Sequence, residues 1–263
     1  MENLYKIAAK HFCDKGIIAP SRRWMCNNYV DCYTAYFEAF RHKPITILEI
    51  GIGVTGPNWN TKITQGGNAG GGASLKMWNE YFSKANFEFI DINPAKQFDN
   101  NRTKTFVVDQ SDKGQLKDYV ADRKNVFDFI IDDGSHKGSH QQISLEVLWK
   151  MLKPGGIYFI EDLNDHGFGK ARVGVHGDIN CVTTRDFFLN YEENNKLLAP
   201  NAFEDTKFLE EIEYLTWHAP LNKLNLYDLP MEVLRWALGK SEKGFLRQRF
   251  AKNSYKIIAL KKK

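Results

Sequence analysis

The stretch Phe127-Asp128-Phe129-Ile130-Ile131-Asp132-Asp133-Gly134-Ser135-His136 decides the fold. A second stretch of similar pattern follows it, Gly155-Gly156-Ile157-Tyr158-Phe159-Ile160-Glu161-Asp162. Each is a short apolar run rich in β-favouring residues, which predicts a buried parallel strand. Each run ends in acids, and adjacent parallel strands bring their carboxyl ends to one sheet edge, where open α/β sheets bind ligands. Because crowded carboxylates repel one another, we expect a divalent cation there. The alternative is that these acids are only helix caps and loop residues.

Strand and helix alternate around this pair of strands at βαβ spacing, which predicts a parallel sheet with right-handed crossovers. Three earlier strands are predicted at 45–50, 87–90 and 105–108. Helices are predicted from about residue 73 and over 139–151. Near the end of the chain, two β-type runs at 244–250 and 255–260 flank the turn-type residues 251–253. This pattern predicts an antiparallel hairpin.

Residues 1–44 are predicted to form a helical preface to a domain spanning 45–263, with a substrate-side insertion around 164–240. Asn27 or Asn28 can cap a helix whose apolar positions recur at helical spacing from Tyr29 to Phe40. Two roles stay open for the preface. It covers the ligand-binding edge, or it forms the interface of a homo-oligomer.

The composition excludes several classes of protein. A chain of 263 residues with 43% hydrophobic residues can bury a large core, and its net charge of +4 is too small for a nucleic-acid binder. Four cysteines without metal-type spacing indicate reduced thiols. No signal-peptide pattern and no apolar run of membrane-spanning length is present, so we expect a cytoplasmic protein without membrane insertion.

The first predicted strand is followed by glycines that suit a ligand-binding turn. Gly51-Ile52-Gly53-Val54-Thr55-Gly56 matches the dinucleotide pattern G-x-G-x-x-G, but the helix that this motif requires does not begin at once. Asp91 stands just past the second strand, where an acid suits the two hydroxyls of a ribose. The pattern therefore favours a nucleoside-containing ligand over a dinucleotide.

Several motifs occur together in the order typical of one family. They are Leu48-Glu49-Ile50-Gly51-Ile52-Gly53, Gly71-Gly72-Ala73-Ser74-Leu75-Lys76-Met77-Trp78, Asp109-Gln110-Ser111-Asp112, Ile131-Asp132-Asp133-Gly134-Ser135-His136 and Ile160-Glu161-Asp162. With these motifs, residues 45–163 resemble the S-adenosylmethionine- and magnesium-dependent macrolide-sugar O-methyltransferases, which include the mycinamicin and demethylmacrocin enzymes and cephalosporin-hydroxylase-like relatives. The resemblance implies a Rossmann-like, seven-stranded sheet, mostly parallel, with a C-terminal antiparallel hairpin.

The resemblance also implies roles for individual residues. The magnesium ligands of the family correspond to Asp133, Glu161 and Asp162, and its general base corresponds to His136. Cofactor contacts are expected from Glu49, Gly51, Ser74, Asp91, Asp109, Gln110 and Asp132. The cofactors implied are S-adenosylmethionine and Mg²⁺ or another divalent cation.

The acceptor implied is a sugar, nucleotide sugar or glycan. The chain departs from the macrolide enzymes directly after Asp162, where it continues Leu163-Asn164-Asp165-His166, so the acceptor itself stays open. A composition rich in Lys, Asn, Ile and Phe is typical of AT-rich genomes and favours polysaccharide biosynthesis over antibiotic tailoring. Two alternatives are a metal-independent methyltransferase acting on another oxygen or nitrogen, and a dinucleotide-binding oxidoreductase or inactive binding protein.

Overall fold

Seven strands form one sheet in the computed structural model, which describes residues 2–16, 28–54, 70–163, 181–218 and 256–263. The strands are β1 (Thr46–Ile50), β2 (Asn86–Asp91), β3 (Thr103–Val107), β4 (Phe127–Asp132), β5 (Leu152–Ile160), β6 (Ile212–His218) and β7 (Ile257–Lys262). Their order in the sheet is β3-β2-β1-β4-β5-β7-β6. The first five strands are parallel, and β7 runs antiparallel to both β5 and β6. This topology confirms the predicted fold class.

Six α-helices flank the sheet in the described part of the chain. They are α1 (Leu4–Lys10), α2 (Val30–Phe37), α3 (Ala73–Tyr81), α4 (Lys113–Val120), α5 (Gly138–Leu148) and α6 (Thr184–Asn194). Short 3₁₀ turns occupy Glu38–Phe40, Lys96–Phe98, Trp149–Met151 and Lys207–Glu211. None of the described helices has the length and apolar character needed to cross a bilayer, which takes about 20 residues.

The segment Pro154-Gly155-Gly156, whose residues are typical of a turn, lies inside β5. Phe127 pairs with Leu152 and Phe129 pairs with Ile157, so four residues of β5 stand opposite one residue of β4. Gly155 accommodates this bulge with a positive φ of 76°. These turn-type residues therefore interrupt the pairing of β5 with β4 and do not end the strand.

The antiparallel strands at the end of the sheet differ from the prediction. β7 pairs with β5 on one side and with β6 on the other, so β6 takes the place in the sheet that was predicted for residues 244–250. Residues 244–250 lie outside the described part of the chain, and β6 lies within the predicted insertion. The connection between β6 and β7 spans about 40 residues. Local turn signals therefore do not identify this strand pair.

Apolar side chains cover both faces of the sheet. One core cluster packs α1, α2 and α3 against it, and the other packs α4, α5 and α6. Phe37 of α2 shows how deeply the preface enters the first cluster, since its ring lies 4.8 Å from that of Phe129 and 5.4 Å from that of Trp78. Such aromatic contacts add to the free energy gained from apolar burial. The helical preface is therefore part of the core.

Candidate active site

A cavity of about 500 Å³ opens at the carboxyl edge of the parallel strands, within the roughly 300–1,000 Å³ typical of small-molecule sites. It lies where the strand order reverses between β1 and β4, as expected for an open α/β sheet. Most of the predicted site residues line it, namely Gly51, Ser74, Asp91, Asp109, Gln110, Asp133, His136 and Asp162. The other three, Glu49, Asp132 and Glu161, lie behind the cavity wall.

Gly51 makes the tight turn after β1. Its φ is +81°, and a Cβ built there would lie 2.3 Å from the carbonyl oxygen of Asp133. The Gly51 amide donates to Ile90 O at 2.8 Å, and the Asp133 amide donates to Ile50 O at 3.0 Å. The absence of a side chain thus lets the ends of β1 and β4 approach each other.

Gly51→Ala is expected to lower the free energy of unfolding by more than the roughly 1–3 kcal/mol of an unfavourable backbone conformation, because the methyl group also collides with Asp133. Gly155→Ala is the matched control. Its φ of +76° is similar, but no atom lies within 4 Å of the added Cβ. Urea unfolding of both variants measures the difference, and equal losses of stability would contradict a close-approach role for Gly51.

Asp91 is held at the end of β2 by two backbone amides. Its Oδ2 accepts from Ile52 N at 3.0 Å, and its Oδ1 accepts from Asn93 N at 2.9 Å. Each carboxylate oxygen has a second lone pair, so Asp91 keeps the capacity to accept hydrogen bonds from a ligand. This geometry is compatible with the predicted contact to a ribose.

Asp132 is buried and reaches the cavity only through a neighbour. It accepts hydrogen bonds from Gln110 Nε2 at 2.7 Å and from Ser144 Oγ at 2.6 Å. Burial raises the pKa of Asp132 to about 6, against the opposing effect of the bonds from Ser144 and Gln110. Gln110 in turn accepts from the Ser135 amide at 3.0 Å. Asp132 therefore orients Gln110 and the Ser135 turn and lies out of reach of a ligand.

Glu49 is also enclosed. Its carboxylate accepts from Trp78 Nε1 at 3.0 Å and lies 3.4 Å from Lys15 Nζ. Burial raises the pKa of Glu49 to about 7, with the ammonium of Lys15 opposing the shift. The predicted direct contact of Glu49 with a cofactor therefore has no open path in this structure, whereas Ser74 at the start of α3 faces the cavity.

Asp133, His136 and Asp162 come together at the acidic end of the cavity. One ligand-type atom from each lies within 4.8 Å of the other two, a spacing that can hold a metal ion. His136 Nε2 lies 3.6 Å from Asp162 Oδ2, and the hydroxyl of Tyr29 donates to Asp162. His136 and Asp162 both adopt positive φ values, a strain that concentrates at functional sites. His140 lies beside them, with Nδ1 2.7 Å from Ser135 Oγ.

Glu161, the third predicted metal ligand, is not in this group. Its side chain is 1% exposed, and its oxygens lie 2.8 and 2.9 Å from Lys15 Nζ. Tyr33 donates a further hydrogen bond to it. Burial and the charge of Asp133 raise the pKa of Glu161, while the ammonium of Lys15 lowers it. Glu161 is therefore bound by residues of the helical preface.

The preface supplies site residues that the sequence did not single out. Lys15, Tyr29 and Tyr33 contact the acids at the strand ends, and Asp14 lines the cavity. Burial, followed by the charge of Asp133, raises the pKa of Asp14 to about 6. Of the two roles left open for the preface, covering the ligand-binding edge is therefore the one that these contacts support.

The cavity carries a strongly acidic lining. Its described lining residues contribute five carboxylates, from Asp14, Asp91, Asp109, Asp133 and Asp162, and no lysine or arginine. A cleft lined by one sign of charge attracts ligands of the opposite sign. The site therefore suits cationic ligands. The glycine-rich tract at 55–69 and the loop after residue 163 lie outside the described residues.

No protein-family model matches the chain, but curated proteins do. It is 36% identical over 158 residues to 8-demethyl-8-alpha-L-rhamnosyl tetracenomycin-C 2'-O-methyltransferase of Streptomyces olivaceus, covering 60% of this chain and 39% of that protein. A 3'-O-methyltransferase of the same tetracenomycin series and organism is 36% identical over 198 residues, covering 73% of this chain and 46% of that protein. Demethylmacrocin O-methyltransferase of Streptomyces fradiae is 37% identical over 132 residues, covering 50% of this chain and 30% of that protein. The chain thus spans less than half the length of these relatives.

Solved structures support the same relationship. The MycE methyltransferase of the mycinamycin biosynthetic pathway, in complex with Mg, SAH and mycinamycin VI, superposes with a TM-score of 0.50 at 29% identity, covering 62% of this chain and 39% of that protein. A second crystal form with Mg and SAH gives a TM-score of 0.58 at 23% identity and covers 82% of this chain and 51% of that protein, which supports the fold. As its motifs predicted, the chain is a relative of the macrolide and tetracenomycin sugar O-methyltransferases.

Proposed function

We propose that this chain transfers the methyl group of S-adenosylmethionine to a hydroxyl of a sugar or glycan-type acceptor, with a divalent cation at Asp133 and Asp162 and with His136 as general base. The acidic cavity is the observation that carries the proposal. A sulfonium cofactor and a metal ion are both cationic, whereas the pyrophosphate of a dinucleotide is anionic and would meet five carboxylates. The acidic lining therefore favours a methyltransferase over an oxidoreductase.

The residues fit both cofactors. Gly51, Ser74 and Asp91 line the cavity, and so do Asp109 and Gln110, which follow β3 and beside which we place the adenine. Asp133 and Asp162 offer the hard carboxylate oxygens that Mg²⁺ prefers. A bound divalent cation would lower the pKa of an acceptor hydroxyl and orient it.

We expect His136 to take the proton from that hydroxyl. A sugar hydroxyl is a poor nucleophile until it loses its proton, and an imidazole accepts a proton near neutral pH. Asp162 Oδ2, 3.6 Å from His136 Nε2, would stabilise the imidazolium that forms. Alignment of the acceptor oxygen with the methyl group would lower the activation barrier further, by about 7–11 kcal/mol at best.

The acceptor class rests on the relatives, whose names specify sugar O-methylation of glycosylated tetracenomycin and macrolide compounds. Incubation with methyl-labelled S-adenosylmethionine, Mg²⁺ and a panel of nucleotide sugars, rhamnosides and capsular fragments tests it. We expect a product that carries one labelled methyl group on a sugar oxygen. Label appearing only on a nitrogen, or on no member of the panel while NAD rather than S-adenosylmethionine raises the melting temperature, would contradict the proposal.

Asp91→Ala is expected to weaken S-adenosylmethionine binding at least tenfold, because each charge-assisted hydrogen bond to the ribose contributes about 1.5–3 kcal/mol. Asp99→Ala is the control. Asp99 also accepts hydrogen bonds, from Thr105 N at 2.8 Å and Thr105 Oγ1 at 2.6 Å, but it does not line the cavity. Calorimetry that gives both variants the same cofactor affinity would remove Asp91 from the binding site.

A further inference from the structure

Lys15 occupies an unusual position for a lysine. Its side chain is 1% exposed, and its ammonium lies among three acids at or near the carboxyl ends of the neighbouring strands β1, β4 and β5. Nζ is 2.8 Å from Glu161 Oε1 and 3.4 Å from Glu49 Oε1, and it also contacts Asp133 Oδ2. A buried lysine is retained only where its charge is compensated, and here all three partners are carboxylates. The ammonium of Lys15 therefore compensates the charge of these three carboxylates. We call Glu49, Asp133 and Glu161 the carboxylate cage.

The cage and the cavity share one residue. Asp133 contacts Lys15 and also lines the cavity, whereas Glu49 and Glu161 contact Lys15 and do not line it. Glu161 faces the preface, where it contacts Lys15 and Tyr33, whereas Asp162, which leaves the strand with a positive φ, lines the cavity. A divalent cation bound in the cavity can thus contact Asp133 and Asp162. The carboxylate of Glu161 is already paired with the ammonium of Lys15.

We propose that Lys15 is a positioning residue that takes Glu161 out of the metal-ligand set and holds Asp133 at the cavity wall. This inference rests on the proposed function, since it concerns the cation of that site. It assigns two carboxylates, Asp133 and Asp162, to the divalent cation. Lys15 and Glu161 form a structural pair behind them.

Mg²⁺ titration by calorimetry, on the full chain without acceptor, tests the assignment. Asp162→Asn is expected to lower the Mg²⁺ affinity at least tenfold because a carboxylate ligand is lost, whereas Glu161→Gln is expected to change it by less than about threefold because Lys15 already compensates the charge of Glu161. Lys15→Met is expected to raise the Mg²⁺ affinity at least tenfold, because it removes a positive charge beside Asp133 and frees Glu161 to bind the ion. A merely structural role for Lys15 predicts no gain.

Two further variants serve as controls for this test. Lys10→Met removes a lysine from the same segment whose ammonium pairs with Glu80 at the surface, and it should leave the Mg²⁺ affinity unchanged. Lys15→Met/Glu161→Gln removes both members of the buried pair without leaving Glu161 as an uncompensated charge. Its Mg²⁺ affinity should fall below that of Lys15→Met. If the single variant does not fold, Glu161→Gln and the double variant decide the question.

Loss of Mg²⁺ affinity in Glu161→Gln as large as that in Asp162→Asn would overturn the inference, because Glu161 would then be a metal ligand that Lys15 releases. Loss of affinity in Lys15→Met would also overturn it. A wild-type chain that binds no Mg²⁺ contradicts the metal of the proposed function instead. In that case Mg²⁺ binding gained by Lys15→Met supports the role of Lys15, and its absence rejects it.

Discussion

Replacing His136 with alanine is expected to lower the rate of methyl transfer about 10²–10⁴-fold, the usual contribution of a positioned general base. The variant lacks the imidazole that would accept the proton of the acceptor hydroxyl and that Asp162 would stabilise once it is charged. Turnover at saturating cofactor, acceptor and Mg²⁺ measures the loss. In the wild type, the logarithm of turnover should rise with pH at unit slope and then level, and this limb should disappear in the variant.

His140→Ala is the matched control, since His140 lines the same cavity and its Nδ1 lies 2.7 Å from Ser135 Oγ. We expect a smaller loss of turnover and an unchanged pH profile. A second measurement separates a base from a metal ligand. The imidazole is near enough to Asp133 and Asp162 to bind a shared ion, but a base leaves the Mg²⁺ affinity within about threefold when it is removed. If His136→Ala keeps more than a tenth of the turnover, or loses Mg²⁺ affinity tenfold, His136 is not acting as the base.

The strand ends were predictable because their signals are local. The run Phe127–Asp132 carries its own β-propensity, and the acids that follow it are fixed to the sheet edge by the strand. The same reasoning places Asp91 at the end of β2 and Asp162 just past β5. Where the chemistry depends on residues that directly follow a strand, the sequence alone therefore locates them.

Strand alternation by itself does not predict which of the acids at the strand ends are enclosed. Asp132 and Asp133 are neighbours, and so are Glu161 and Asp162, yet in each pair one carboxylate is enclosed and the other lines the cavity. The register pairs Asp132 with Ile160, so alternation alone would put Asp133 and Glu161 on one side of the sheet, and Asp162 departs from the alternation with a φ of 51°. The resemblance assigned a ligand role to both members of the second pair, and the contacts of Glu161 with Lys15 and Tyr33 become visible only in the structure.

Lys15 and Tyr33 were not predictable. They reach Glu161 across 146 and 128 residues of sequence, and no local pattern around either residue indicates such a partner. A lysine in the segment Cys13-Asp14-Lys15-Gly16 is typical of an exposed turn, whereas here the packing of α1 and α2 on the sheet encloses it. The part of the site that depends on tertiary packing of the preface is therefore visible only in the structure.

Removing divalent cations is expected to abolish methyl transfer, and Mg²⁺ is expected to restore it. Among the described residues, no lysine or arginine lines the acidic end of the cavity, and Lys15 reaches Asp133 only from behind the wall, so a bound cation would supply positive charge between Asp133 and Asp162. Such a cation would also provide the charge that makes an acceptor hydroxyl acidic. Asp162→Asn should raise the Mg²⁺ concentration for half-maximal turnover about 100-fold, because a carboxylate ligand is lost. Turnover measured against added Mg²⁺ after treatment with a chelator gives both results.

Asp91→Asn is the matched control for Asp162→Asn. It removes one negative charge from the same cavity but outside the metal group, so it should weaken S-adenosylmethionine binding and leave the Mg²⁺ requirement within about threefold. Asp133→Asn provides a second test of the metal group, since Asp162 also lies 3.6 Å from the proposed base and its loss affects two functions. Full turnover in excess chelator would reject the metal and leave a metal-independent methyltransferase, in which His136 alone must activate the hydroxyl.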